Sequence, residues 1–306
     1  MFAPPPVIKT RVFSRLPDEL RLSDRESEWS RLRETQNLHS FLEGPSFDRD
    51  GNLYCVDICH GRIFRISPEG KWEVFAHYDG HPNGLKIHKD GRIFVADAKL
   101  GILSFDPSTG KRTTVLADAA GTPFAGLNDL VFANNGDLYF TDPGASGLES
   151  PFGRVFRLRQ SGELDLLLEG LPVPNGIVLS AEQDVLYLAV TRSQQVLRML
   201  LLPLYPRVFK AGVFVQLSGG LAGPDGMAMD VQGNLIVAHA GFGSVWMFSP
   251  LGEPLARIRS CAGIRTTNVA FGGPDRKKLY ITEAEHGVIL EADLEMPGRC
   301  MYSHDL

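Results

Sequence analysis

Four cysteines in 306 residues, Cys55, Cys59, Cys261 and Cys300, are too few for a disulfide scaffold, and a reducing cytosol would keep them as thiols. Cys55 and Cys59, with His60, lack a second Cys/His pair at zinc-finger spacing, so they read as structural thiols. Charge of one sign is also lacking. The chain carries 31 basic and 36 acidic residues, a net charge of −5, and no basic stripe, which argues against nucleic acid as a partner. There is no apolar run long enough to span a membrane, and the Pro-rich start at 1–10 has no signal-peptide core. The chain therefore reads as soluble and cytoplasmic, with no membrane partner. No Gly-x-Ser-x-Gly elbow occurs, which argues against a serine hydrolase. No phosphate-binding glycine loop ending in Lys-Ser or Lys-Thr occurs either.

What is present is a repeat. The stretch Phe47-Asp48-Arg49-Asp50-Gly51-Asn52-Leu53-Tyr54 reads as strand, tight turn, strand. Similar pieces recur at 89–94, 135–140 and 232–237, and weaker ones at 183–187 and 276–280. Gly, Asn and Asp suit the turns because they tolerate positive φ, and β-branched and aromatic residues suit the flanking strands. A third strand follows in most copies, as at 61–66 and 153–158, and a fourth closes each unit, as at 72–75. Four short strands in six register-matched copies describe a six-bladed β-propeller, an all-β fold. The sixth copy runs out of chain near Leu294 before its fourth strand. The segment 10–16 is expected to supply that strand and close the ring. On this reading the whole chain, 1–306, is one propeller domain with its blades over 43–294. The charged stretch 17–39 forms short helical turns packed outside it.

Aligning the copies on the turn brings one position into view. Eight residues before Gly51, Gly91, Gly136 and Gly233 stand Glu43, Asn83, Asn128 and Asp225, and the weaker copies supply Asn175 and Asn268. All six side chains carry oxygen, and all stand where an innermost strand begins, so they should converge on one mouth of the channel. Asn and Asp before glycine are good turn residues one at a time. Turn chemistry does not account for Glu43 at the same register. Two carboxylates and four amides form a hard-oxygen set of formal charge −2, which suits a divalent cation. Ca²⁺ is the most natural, with Mg²⁺, Mn²⁺ or Zn²⁺ as alternatives.

The motifs Glu43-Gly44-Pro45, Asn128-Asp129, Pro174-Asn175-Gly176 and Pro224-Asp225-Gly226-Met227-Ala228 resemble those of the senescence marker protein-30/gluconolactonase family. The stretch from Thr266 to Asp275, followed by Leu279-Tyr280-Ile281-Thr282, resembles that family's last blade. The resemblance spans roughly 43–294. It implies a propeller that hydrolyses lactones with a divalent metal. It further implies Glu43, Asn175 and Asp225 as metal ligands, Asn128 as a ligand or substrate contact, and Asp225 as the position of the general base. Sugar-lactone members of the family often carry a basic stretch just before Asn128. Here 121–127 reads Gly-Thr-Pro-Phe-Ala-Gly-Leu, which suggests a less polar lactone than gluconolactone.

Blade topology returns the loops between second and third strands to the same mouth. Those loops hold His60, Phe152 and His239, and Phe124 lies on a loop between blades. With Asn83, Asn128 and Asn268 these are the expected substrate contacts for a small lactone or ester. Two other readings share the fold: a phosphotriesterase of the diisopropylfluorophosphatase type, and a non-catalytic calcium-binding scaffold. The sequence assigns no oligomeric state.

Overall fold

A computed structural model describes residues 4–24, 26–32, 38–202, 205 and 207–304. Six antiparallel sheets stand around one axis. Blade 1 comprises Leu42–Phe47, Leu53–Asp57, Arg62–Ile66 and Trp72–His77, and blade 2 Pro82–Ile87, Ile93–Asp97, Gly101–Phe105 and Arg112–Leu116. Blade 3 is built from Leu130–Phe132, Leu138–Asp142, Gly153–Leu158 and Leu164–Leu171, and blade 4 from Pro174–Leu179, Val185–Val190, Gln195–Leu200 and Lys210–Gln216. Blade 5 holds Gly223–Met229, Leu235–Ala240, Ser244–Phe248 and Pro254–Arg259. Blade 6 holds Thr266–Gly272, Lys278–Glu283 and Val288–Asp293. Burial falls from the axis outwards. The inner strand of blade 1 is buried at every residue, while the outer strand of blade 2 is mostly exposed.

The hairpin between first and second strands explains both the strong and the weak copies of the repeat. In blade 1 the Asp48 carboxylate accepts the N–H groups of Asp50 and Asn52 at 3.0 and 2.8 Å, and Gly51 takes a φ of 82°. Asp230 does the same for Gln232 and Asn234 in blade 5. In blades 4 and 6 the turn position holds Gln183 and Arg276, at φ of 61° and 55°. The backbone path survives there without glycine, in a region that costs a side-chain-bearing residue energy. The eight-residue offset to Asn175 and Asn268 therefore holds in these copies as well.

The N-terminal segment closes the ring. Arg11–Arg15 pairs antiparallel with Val288–Asp293, placing Val12 opposite Leu290, and supplies blade 6 with its fourth strand. Arg11 binds Glu291 and Asp293, each at 2.7 Å. Just beyond this strand, Leu16 inserts between the last blade and the first, packed with Leu42, Phe64 and Ile289. The Pro-rich start also adds an element that its composition did not suggest. Val7–Lys9 lies parallel to Pro254–Arg259 as a fifth strand on blade 5.

Two further segments lie at the two faces of the ring. On the mouth face, the helix Glu28–Leu32 sits beside blades 1 and 2, with Trp29 against Phe41 at 5.0 Å and Glu28 bonded to Lys99 at 3.0 Å. On the opposite face, the chain from Gly298 to His304 crosses the end of the channel. Arg299 donates to the carbonyls of Leu179 and Ser180 in blade 4, Tyr302 stacks on Phe132 in blade 3, and the Ser303 carbonyl accepts from Arg49 in blade 1. The channel is thereby floored by protein on one side.

Ring closure is testable through its buried plug. Leu16 is 1% exposed, whereas Val7 on the added strand is 56% exposed. Leu16→Ala should cost about 2–5 kcal/mol of stability, and Val7→Ala should stay within about 0.5 kcal/mol. Denaturant melts of the two variants check this difference.

Candidate metal centre at the channel mouth

The inner strands break their ladder at the same place. The register between first and second strands shifts between Glu43 and Ser46, Pro82 and Gly84, Pro174 and Ile177, Pro224 and Met227, and Thr266 and Asn268. In blade 3 the strand starts only at Leu130, just past Asn128 and Asp129. A bulge re-aims the side chain beside it. The structure therefore brings Glu43, Asn83, Asn128, Asn175, Asp225 and Asn268 to one level of the channel. Glu43, Asn175 and Asn268 are buried, and Asn83, Asn128 and Asp225 are half-buried. In four blades the next residue is glycine, which lets adjacent inner strands approach. A Cβ on Gly84 would meet the Asn128 carbonyl oxygen at 2.7 Å, and one on Gly226 would overlap the Asn268 amide.

Hydrogen bonds then fix the donors. The Glu43 carboxylate accepts from the Gly44 N–H and from Asn268 Nδ2, both at 2.9 Å. Asn268 Oδ1 accepts the Val269 N–H at 2.8 Å. Asn268 thus orients Glu43 and has its amide engaged on both sides. Asn175 donates through Nδ2 to Thr191 Oγ1 at 3.1 Å, which assigns its Oδ1 as the free end. Threonine hydroxyls tie successive blades together around this level. Thr141 donates to the Asn175 carbonyl, Thr191 to the Pro224 carbonyl, and Thr267 to the Leu42 carbonyl, at 2.8–2.9 Å.

The electrostatics are those of a crowded acidic site. Burial pushes the Glu43 carboxyl up to about 7, against its bonds to Gly44 and Asn268. Burial, and then the charge of Glu43, hold Asp225 well above the usual carboxylate range. Asp129 is raised as well, chiefly by burial, and its charge acts on both other carboxylates. Asp129 is a third carboxylate that the ring alignment missed, because it stands one residue past the ring position. Its signal in the sequence is a charge where four other copies carry glycine. Three carboxylates converging among amide oxygens, with the Lys86 ammonium as neighbouring counter-charge, fit a hard divalent cation.

The expected substrate contacts divide. Asn83 and Asn128 remain half-buried at the ring, and Phe152 is 44% exposed on loop 143–152. The other rings have packing partners. Phe124 lies edge-on to Phe140 and Phe156, each at 5.6 Å, within the packing of blade 3. His60 bonds the Leu38 carbonyl at 3.0 Å. His239 is fully buried, stacked on Phe242 at 4.6 Å, and accepts from Trp246 Nε1. Burial also lowers the pKa of His239. His239 stands in the strand Leu235–Ala240 rather than on a loop, and whether such a side chain faces the channel depends on how its own blade packs around it, which the repeat pattern does not carry.

Among the described residues, the groups of three or more His, Cys, Asp or Glu whose ligand atoms lie within 4.8 Å of one another stand outside the ring: Asp57 with Cys59 and His60, and Glu283 with Glu285 and His286. Both have structural work already. Asp57 accepts from the Phe41 N–H and from Arg62. Burial raises Cys59 far from its thiolate form. Glu283 accepts the N–H groups of Glu285 and His286. Asp97 and Asp142 stand at the matching ends of second strands and are likewise engaged, Asp97 capping its loop through the Lys99 and Leu100 N–H groups and Asp142 accepting the Gly126 N–H of the segment before blade 3.

A family model for the SMP-30/Gluconolactonase/LRE-like region matches residues 41–285. The chain is 32% identical over 285 residues to a gluconolactonase of Zymomonas mobilis, with 81% of this chain and 77% of that protein covered. It is 32% identical over 283 residues to the lactonase drp35 of Staphylococcus aureus strain MW2, with 85% and 81% covered. A solved structure of a calcium-binding protein, regucalcin, from Agrobacterium tumefaciens matches with a TM-score of 0.79 at 23% identity, over 98% of this chain and 99% of that one, a likeness of fold. On the match of the family model and the two relatives, this chain belongs to the SMP-30/gluconolactonase/LRE-like family.

Proposed function

We propose that this protein is a divalent-metal-dependent hydrolase that opens lactones. The observation that carries the reading is the convergence of Glu43, Asp129 and Asp225 with Asn175 Oδ1 at one level of a channel floored on its far side. Glu43, Asn175 and Asp225 would hold the cation, Ca²⁺ before Mg²⁺, Mn²⁺ or Zn²⁺, with Asn128 as a further ligand or a substrate contact. A cation held there supplies Lewis acidity toward an ester carbonyl oxygen.

The chain's own residues do the rest. Asp225 is the proton acceptor for the attacking water, being the half-buried carboxylate of the ring. Glu43 stays in place through Gly44 and Asn268, so its role is that of a fixed anionic ligand. Asn83 and Asn128 offer amide groups at the rim, where a lactone's polar edge would lie. The substrate is a lactone less polar than gluconolactone. Residues 121–127 offer no cationic side chain to sugar hydroxyls, and loop 143–152 presents the exposed side chains of Leu148 and Phe152.

The direct test is a panel of aliphatic, aromatic and sugar lactones assayed with chelated and metal-restored protein. Chelation should abolish turnover, added Ca²⁺, Mn²⁺, Mg²⁺ or Zn²⁺ should restore it to different degrees, and gluconolactone should rank below a less polar lactone. Full activity in verifiably metal-free protein would sink the reading.

Amide replacements separate the two acidic roles. Asp225→Asn and Glu43→Gln should both weaken metal binding, each by removing a negative charge. At saturating metal, Asp225→Asn should remain at least about a hundredfold slow, because an amide cannot accept the proton, while Glu43→Gln should recover in part. Asp142→Asn, which faces Arg154 at 3.0 Å, should lower the melting temperature and leave metal affinity unchanged.

Protons compete with the cation for these carboxylates. Because Glu43 without metal titrates near 7 and Asp225 is also raised, both bind protons in a range where an ordinary carboxylate is already ionised. Apparent metal affinity should therefore climb as pH rises through about 7. Calcium titrations at pH 5.5, 7 and 8 measure this, and a flat profile would contradict the assignment of Glu43 as ligand.

A further inference from the structure

Two positions depart from the pattern of the repeat, and they meet in space. One residue past the ring position, blades 1, 2, 4 and 5 carry glycine, whereas blade 3 carries Asp129. Three residues past it stand Ser46, Lys86, Val131, Val178, Ala228 and Phe271, a lower tier of the channel in which only Lys86 is charged. These six line a cavity of about 40 Å³ that is closed below by Arg299, Met301 and His304 of the C-terminal segment.

Lys86 Nζ lies 3.9 Å from Asp129 Oδ1 and donates to the Leu85 carbonyl at 3.2 Å. Lys86 is 8% exposed and Asp129 2%. Asp129 also accepts the Leu130 N–H at 2.8 Å and interacts with the Ile177 N–H of blade 4 and the Asn268 amide of blade 6. It therefore reaches across the axis. An ammonium in so dry a place persists only when a carboxylate is paired with it. Buried charges are also screened far less than exposed ones.

We propose that Lys86 is a resident cation of the channel: held by Asp129, it offsets that carboxylate, so that the ring above presents a formal charge of −2 to a single divalent ion. The inference rests on the metal-binding reading above and adds what sets the charge of that site. Lys86 and Asp129 act through the ring residues, so both are positioning residues.

Charge counting orders the variants. Lys86→Met leaves three uncompensated carboxylates. Asp129→Asn leaves an ammonium facing two. The double variant restores the formal balance of the native channel. Calcium is titrated calorimetrically into chelator-stripped protein, with thermal melts confirming that each variant is folded. The native protein should bind one ion. Lys86→Met should bind calcium at least about tenfold more tightly, Asp129→Asn at least about tenfold more weakly, and the double variant within about threefold of native, since charge coupling at this range is large. Should Lys86→Met not fold, Lys86→Gln replaces it with the same expected sign. If the native protein binds calcium but the single variants shift affinity in the same direction, or not at all, this inference is overturned while the metal reading stands. A double variant more than tenfold from native overturns it too. A native protein that binds neither calcium nor manganese overturns both.

Discussion

Closure of the ring is the constraint on which the rest depends. Six oxygen-bearing side chains can meet on one axis only if six inner strands are held at equal distance from it. A propeller with an unpaired last blade would let the first and sixth blades part. Arg11–Arg15 prevents this by completing blade 6 with the opposite end of the chain, and Leu16 fills the seam between blade 6 and blade 1. The seam lies close to the site. Asn268 on blade 6 orients Glu43 on blade 1, and Thr267 bonds the Leu42 carbonyl beside it. Loosening the closure would therefore disturb Glu43 before it disturbed most of the core.

Closure also concentrates charge. Glu43, Asp129 and Asp225 come from three different blades; Glu43 raises the cost of ionising Asp225, and Asp129 raises it for both. Such a cluster is unfavourable by itself. The surrounding hydrogen bonds lessen the cost without removing it, since Gly44 and Asn268 bond Glu43 yet its carboxyl still titrates near 7. The remaining deficit is what a divalent ion would offset. On the proposed reading metal binding and folding would be coupled, because these carboxylates converge only in the closed ring.

The channel is asymmetric for reasons that lie outside the repeat. One end opens at the ring, beside loop 143–152 and the helix Glu28–Leu32. The other is covered by a segment, 298–304, that belongs to no blade. The polar ring, with Asp129 beside it, and then the mostly apolar lower tier, which holds Lys86, follow one another towards that floor.

Much of this was legible in the sequence. Period-two strands, turn residues and a constant eight-residue offset determined the blade count and the level at which Glu43, Asn83, Asn128, Asn175, Asp225 and Asn268 stand. The missing strand after Leu294 pointed to a closing strand at the other end of the chain. These are local or periodic features, and local backbone chemistry dictates them. Tertiary structure alone decided the rest. Asn268 became the holder of Glu43 because the last blade meets the first across the closure. Phe124 and His239 turned to aromatic partners within their own blades, and His60 to the Leu38 carbonyl ahead of blade 1. Asp129 and Lys86 became a pair because neighbouring inner strands set them 3.9 Å apart, 43 positions distant along the chain. Proximity across blades is a property of the closed ring, and no single repeat carries it.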